Sequence, residues 1–107
     1  MNKADKFDKP MRELATFAKV ISHPARLAIL QYLAETKTCI SGDITDKIPL
    51  SRTTVSQHLK ELRNAGLIKG EIDGLTISYC LDKNGIRRFW KMSKKFFATI
   101  KDAEVTC

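Results

Sequence analysis

Apolar residues recur at helical spacing through most of this chain and at a spacing of two in one short stretch. Met11, Leu14, Ala15, Ala18 and Ile21 make a first helical stripe, with Pro10 suited to its opening turn. Ser22, His23 and Pro24 end that helix and start the next, because Pro24 disfavours helical geometry in its predecessor and is itself tolerated at a helix start. The second helix is predicted over residues 24–35. Leu27, Leu30 and Ala34 lie on its stripe, and Ile29 with Leu33 widens it enough to mark a core helix. Residues 37–40 form a connector able to take an extended form. Ser41 or Gly42 then opens a short helix with Asp43 in its first turn and Ile44 and Ile48 as its apolar pair.

Residues 50–66 carry two faces at helical spacing. Val55, Leu59 and Leu62 form a narrow apolar stripe, while Thr53, Ser56, Gln57 and Lys60 form a polar, cationic face without an acid. Ser51 is a good N-cap for this helix and Gly66 a good stop. The period then becomes two. Ile68 and Ile72 alternate with Lys69 and Glu71, Asp73-Gly74 marks a tight turn, and Ile77, Tyr79 and Leu81 alternate with Thr76, Ser78 and Cys80. A last helix over residues 84–101 aligns Ile86, Phe89, Trp90, Ser93, Phe96, Phe97 and Ile100 along one side. The predicted fold is therefore mainly α with a β-hairpin wing: four helices, a hairpin and a helix. Its helix pair before the hairpin has the spacing of a helix-turn-helix. Residues 1–9 read as a flexible N-terminal tail and residues 10–107 as a single domain.

Composition narrows the chemistry. A chain of 107 residues with 43% apolar and 29% charged residues is long enough for one core and too apolar for disorder. Its 19 Lys and Arg against 12 acids, a formal charge of +7, favour a polyanionic partner such as double-stranded DNA. No apolar run reaches the roughly 20 residues of a membrane span, and the N-terminus lacks the apolar centre of a signal peptide, so a cytoplasmic protein without a membrane partner is expected. Cys39, Cys80 and Cys107 are odd in number and widely spaced, which implies reduced thiols rather than a disulfide framework.

The segments SHPARLAILQYLAE and GDITDKIPLSRTTVSQHLKELRNAGLIKGEIDGLTISYCL closely resemble the ArsR/SmtB family of winged helix-turn-helix transcriptional repressors, over residues 17–81. The resemblance implies a homodimer held by the first and last helices, two recognition helices reading a two-fold operator, wings on flanking DNA, and release by a signal that is often a metal or metalloid. This chain departs from two sensor patterns of the family. Ser41 stands where a CxC pair would place its second cysteine after Cys39, and residues 83–101 contain no His, Asp or Glu for a site on the last helix. A single thiolate makes a poor soft-metal site, which needs three or four convergent ligands.

The candidate base contacts are Thr53, Ser56, Gln57 and Lys60, and the candidate backbone contacts are Ser51, Arg52, Arg63 and Lys69. A merely solvated helix face is the competing reading for the first set, and the acids Glu71 and Asp73 oppose DNA contact by the wing. Met11, Leu14, Ala18, Phe89, Trp90, Phe96 and Phe97 are expected at the dimer seam. His58 borders the buried stripe and reads as a packing or hydrogen-bonding residue, and His23 as a cap. No cofactor or metal site is predicted. Free thiols without function are the plain reading of Cys39, Cys80 and Cys107, against a thiol sensor answering to oxidants or a thiophilic metalloid or metal. The functional expectation is a homodimeric, sequence-specific DNA-binding repressor; a winged-helix module for protein-protein interaction is the alternative. No nucleophile with its base, paired carboxylates or phosphate loop supports an enzyme.

Overall fold

The computed structural model describes residues 6–36, 39–41, 47–71 and 78–106. Its elements run α1 (Lys9–Val20), α2 (Pro24–Thr36), β1 (Ile40–Ser41), α3 (Arg52–Asn64), β2 (Ile68–Glu71), β3 (Ser78–Leu81) and α4 (Lys83–Ile100). The expected short helix around Asp43 and Ile44, the turn at Asp73-Gly74 and Cys107 lie outside the described residues.

Local chemistry explains most boundaries. Pro10 stands in the first turn of α1, where its missing N–H costs no helical hydrogen bond. Ser51 caps α3, its hydroxyl accepting from the Thr54 amide at 3.3 Å. Asp82 does the same for α4, taking the amides of Asn84 at 3.1 Å and Gly85 at 3.3 Å. Gly66 leaves α3 with φ +81°, a conformation that costs other residues free energy.

The connector after α2 does more than extend. Ile40–Ser41 pairs with β3, giving a three-stranded antiparallel sheet of order β1-β3-β2. Ile40 faces Tyr79, and on the other edge Gly70 faces the same tyrosine while Lys69 faces Cys80. Side chains alternate across a strand, so buried Tyr79 defines the core face of the sheet.

The core joins Ile29 and Leu33 of α2, Ile48 in the segment before α3, the α3 residues Val55, Leu59 and Leu62, and Leu67, Ile68 and Tyr79. Val55, Leu59 and Leu62 are the predicted α3 stripe. On α2 the phase differs from expectation. Ile29 and Leu33 are the buried pair, whereas Leu27 is 50% exposed and Ala34 is exposed too. The helix is apolar around most of its circumference, so periodicity alone does not choose its inner face.

Helix α4 leaves the body. Ile86 and Phe89 pack against the core, but Trp90 is 64% and Phe97 58% exposed. The radius of gyration is 16.4 Å, against about 13 Å for a compact chain of this length. An α4 of 18 residues is about 27 Å long.

Candidate nucleic-acid interface

Helix α3 is held from behind and open in front. Its apolar stripe is locked against α2 and the sheet, leaving Thr53 and Gln57 exposed and Ser56 and Lys60 half-buried on the outer surface. Arg52 is exposed at the first turn, Arg63 is half-buried in the last, and no acid occupies the first turn. The dipole of that turn favours anions. Ser51 is also engaged, since its Oγ donates to Thr54 Oγ1 at 2.9 Å as well as accepting from the Thr54 amide. Its contribution to the surface is through the cap. Lys69 is exposed on β2.

One organising residue was not legible from the sequence. Arg26 of α2 donates through Nε to His58 Nδ1 at 3.0 Å and through Nη1 to the Val20 carbonyl, also at 3.0 Å. It satisfies an orphan carbonyl at the end of α1 while fixing the roll of α3. The only sequence signal was a cation inside an otherwise apolar run.

His58 is therefore a hydrogen-bond acceptor, as its place beside the stripe predicted, and His23 stands 5.8 Å from it between ring centroids. Partial burial first, then the Arg26 and His23 charges, push its pKa below the ordinary 6.5. A depressed folded-state pKa means that the unfolded chain binds the proton more readily. The stabilisation is complete above the unfolded value and fades as pH falls from it through the folded value. Thermal unfolding should accordingly occur at a lower temperature near pH 5.5 than near pH 7.5, and His58→Gln should shrink that difference. An equal pH dependence in the variant would show that His58 contributes nothing to it.

The expected seam residues separate into two groups. Met11, Trp90, Phe96 and Phe97 are exposed, as is Ala18. Phe89, by contrast, packs edge-on against Phe17 of the same chain at 5.3 Å, and Leu14 is half-buried. Phe89 therefore joins α1 to α4 within one protomer, helped at the surface by the Arg88–Glu13 ion pair. Among the described residues no group of three or more His, Cys, Asp or Glu converges to hold a metal, and no helix is long and apolar enough to cross a membrane.

A helix fixed behind and open in front, followed by an antiparallel strand pair, defines a DNA-binding regulator of the winged-helix class. Comparison with known proteins agrees. Residues 21–71 match the helix-turn-helix domain family. The chain is 34% identical over 74 residues to the transcriptional regulator YgaV of Escherichia coli, covering 69% of this chain and 75% of YgaV. It is 34% identical over 76 residues to the transcriptional repressor SmtB of Mycobacterium tuberculosis, covering 67% of this chain and 56% of SmtB. The crystal structure of Rv0081 from M. tuberculosis superposes with a TM-score of 0.59 at 26% identity, covering 88% of this chain and 94% of that one. The chain belongs to the ArsR/SmtB family of winged-helix transcriptional regulators. That family membership favours specific DNA binding over the protein-interaction module, and the family is one of regulators rather than enzymes.

Proposed function

We propose that two copies of this chain associate through α1 and α4 and set their α3 helices in successive major grooves of a two-fold operator in cytoplasmic DNA, repressing transcription there. Thr53, Ser56, Gln57 and Lys60 meet base edges, while Arg52, Arg63 and Lys69, with the capped turn at Ser51, hold phosphates. The observation that carries this reading is the polar and cationic outer face of α3, with no acid in its first turn, presented by a helix whose opposite face is fixed in the core. Repression is the activity named for the relative SmtB. DNA contact itself needs no cofactor in this arrangement.

Phosphate contacts set affinity and its salt dependence, whereas base contacts set sequence choice. A gel-shift titration against the gene's own upstream region, repeated over a range of salt, therefore tests both. Gln57→Ala should weaken operator binding by roughly 1 to 3 kcal/mol and leave random-sequence binding nearly unchanged. Arg52→Ala should weaken both and flatten the salt slope. Equal losses on operator and random DNA for Gln57→Ala would remove the direct-readout assignment.

A further inference from the structure

The three cysteines look unrelated in sequence, and the sheet brings two of them together. β1 and β3 pair with Ile40 opposite Tyr79 and Ser41 opposite Ser78. One step outward in the same register, Cys39 stands opposite Cys80. On the other edge of β3, Lys69 stands opposite Cys80. Cys39, Cys80 and Lys69 thus form one row across the sheet, on the face opposite buried Tyr79. That row opens into a cavity of about 830 Å³, whose wall also includes Lys83 and Arg87 from the start of α4.

Both cysteines are free thiols, Cys39 exposed and Cys80 half-buried. The hydrogen bond to Cys39, and then partial burial, push the Cys80 thiol above its ordinary pKa, with Lys69 pulling weakly the other way. Cys80 therefore keeps its proton beside the Cys39 sulfur, and the exposed Cys39 is the sulfur that meets a reagent from solution. The thiolate is the form of a cysteine that attacks a peroxide.

We propose that Cys39 and Cys80 form a reversible oxidation site, closed by hydrogen peroxide or an organic hydroperoxide into a cross-strand disulfide that weakens DNA binding. Cys39 thiolate attacks one peroxide oxygen; the O–O bond breaks, a sulfenic acid forms on Cys39, and the other oxygen leaves as hydroxide, which takes up the thiol's original proton. The Cys80 sulfur then displaces hydroxyl from the Cys39 sulfur. The S–S bond forms, and the hydroxyl leaves with the Cys80 proton as the second water. Two thiols lose two electrons, and hydrogen peroxide becomes two waters, or an organic hydroperoxide one alcohol and one water. A small-molecule dithiol reverses the reaction by exchange.

The geometry fits such a bond and ties it to DNA binding. Directly opposed residues of an antiparallel pair have Cα atoms about 4.5 to 5.5 Å apart, inside the disulfide range of about 4.4 to 6.8 Å. Their Cβ atoms, about 4.5 to 5.5 Å apart, must approach to about 3.8 Å, so closure draws the strands together. β1 leads toward α3, and β3 carries β2 with Lys69, so this movement alters the placement of the wing against the recognition helix. An accessible bond across neighbouring strands also belongs to the readily reduced kind.

The functional consequence rests on the DNA-binding reading, while the disulfide itself does not, and the test keeps them apart. Reduced full-length protein is treated with hydrogen peroxide, then divided between peptide mass analysis and operator gel shifts. The expected result is the loss of two hydrogens per chain, a peptide pair linked through Cys39 and Cys80, and a roughly 5- to 150-fold weaker operator affinity. Dithiothreitol should restore both. Cys107→Ser should respond like the parent chain, while Cys39→Ser and Cys80→Ser should bind DNA without responding to peroxide. Linkage only through Cys107, or a Cys39–Cys80 bond that leaves operator affinity unchanged, would overturn the proposal. If the reduced protein fails to bind its operator, the DNA-binding reading fails instead, and the mass analysis still decides whether the site closes.

Discussion

Replacing Trp90 and Phe97 together by Asp is expected to give a folded monomer whose operator affinity is lower by roughly 10²- to 10⁴-fold, the range lost when two linked binding units become independent. Both side chains are more than half exposed in the single protomer, at 64% and 58%, so their removal takes little from the core. They stand with Phe96, Ile100 and Met11 among the large apolar residues that the protomer leaves uncovered. An exposed apolar surface of this kind marks an interface. Two carboxylates placed on each facing surface of the proposed dimer would have to be desolvated or repel one another across its two-fold axis. Sedimentation equilibrium would read the mass, far-UV circular dichroism the retained helices, and gel shifts the affinity. Persistence of the dimer in the double variant would place the contact elsewhere.

Phe89→Ala makes the internal control for that experiment. Since Phe89 packs on Phe17 within the same chain at 5.3 Å, its loss should lower the stability of the protomer before it touches association. The contrast also shows what the sequence could resolve. A helical pattern puts Phe89 and Trp90 on one side of α4, but adjacent positions on a helix point about 100° apart. Which of them turns toward α1 and which toward solvent is a matter of docking angle. The α3 stripe was legible because its narrow apolar face and Ser51 cap are local signals that agree. On α2 the apolar ring was too wide to have a phase, which is how Leu27 came to be expected inside while it is half exposed. The partnerships of Arg26 with His58 and of Cys39 with Cys80 join residues far apart in the chain. They depend on register and packing, which no local window contains.

Gly85→Ala is expected to destabilise the protein, although alanine in a helix normally stabilises by about 1 kcal/mol over glycine. Gly85 lies in the first turn of α4, against the bend that ends α3. A Cβ there would overlap the Gly66 carbonyl oxygen and come within 2.7 Å of its carbon. The obstacle is backbone, and no side chain can swing aside to admit the methyl group. The backbone on both sides is tethered as well: the Asp82 amide donates to the Leu67 carbonyl at 3.0 Å, and the Leu67 amide to the Leu62 carbonyl at 3.0 Å. Relief therefore requires α4 to move away from the end of α3, with a net loss of roughly 1 to 3 kcal/mol. At about 4 to 8 °C per kcal/mol for a chain near this size, the shift is easily seen by thermal denaturation. The same junction sets the angle between the helix proposed to join two protomers and the helix proposed to read DNA. A wedge at Gly85 should consequently reduce operator binding more than random-sequence binding, because only the operator demands a fixed spacing between two α3 helices. A melting temperature equal to or above that of the parent would show that the close approach of Gly85 to Gly66 imposes no such constraint.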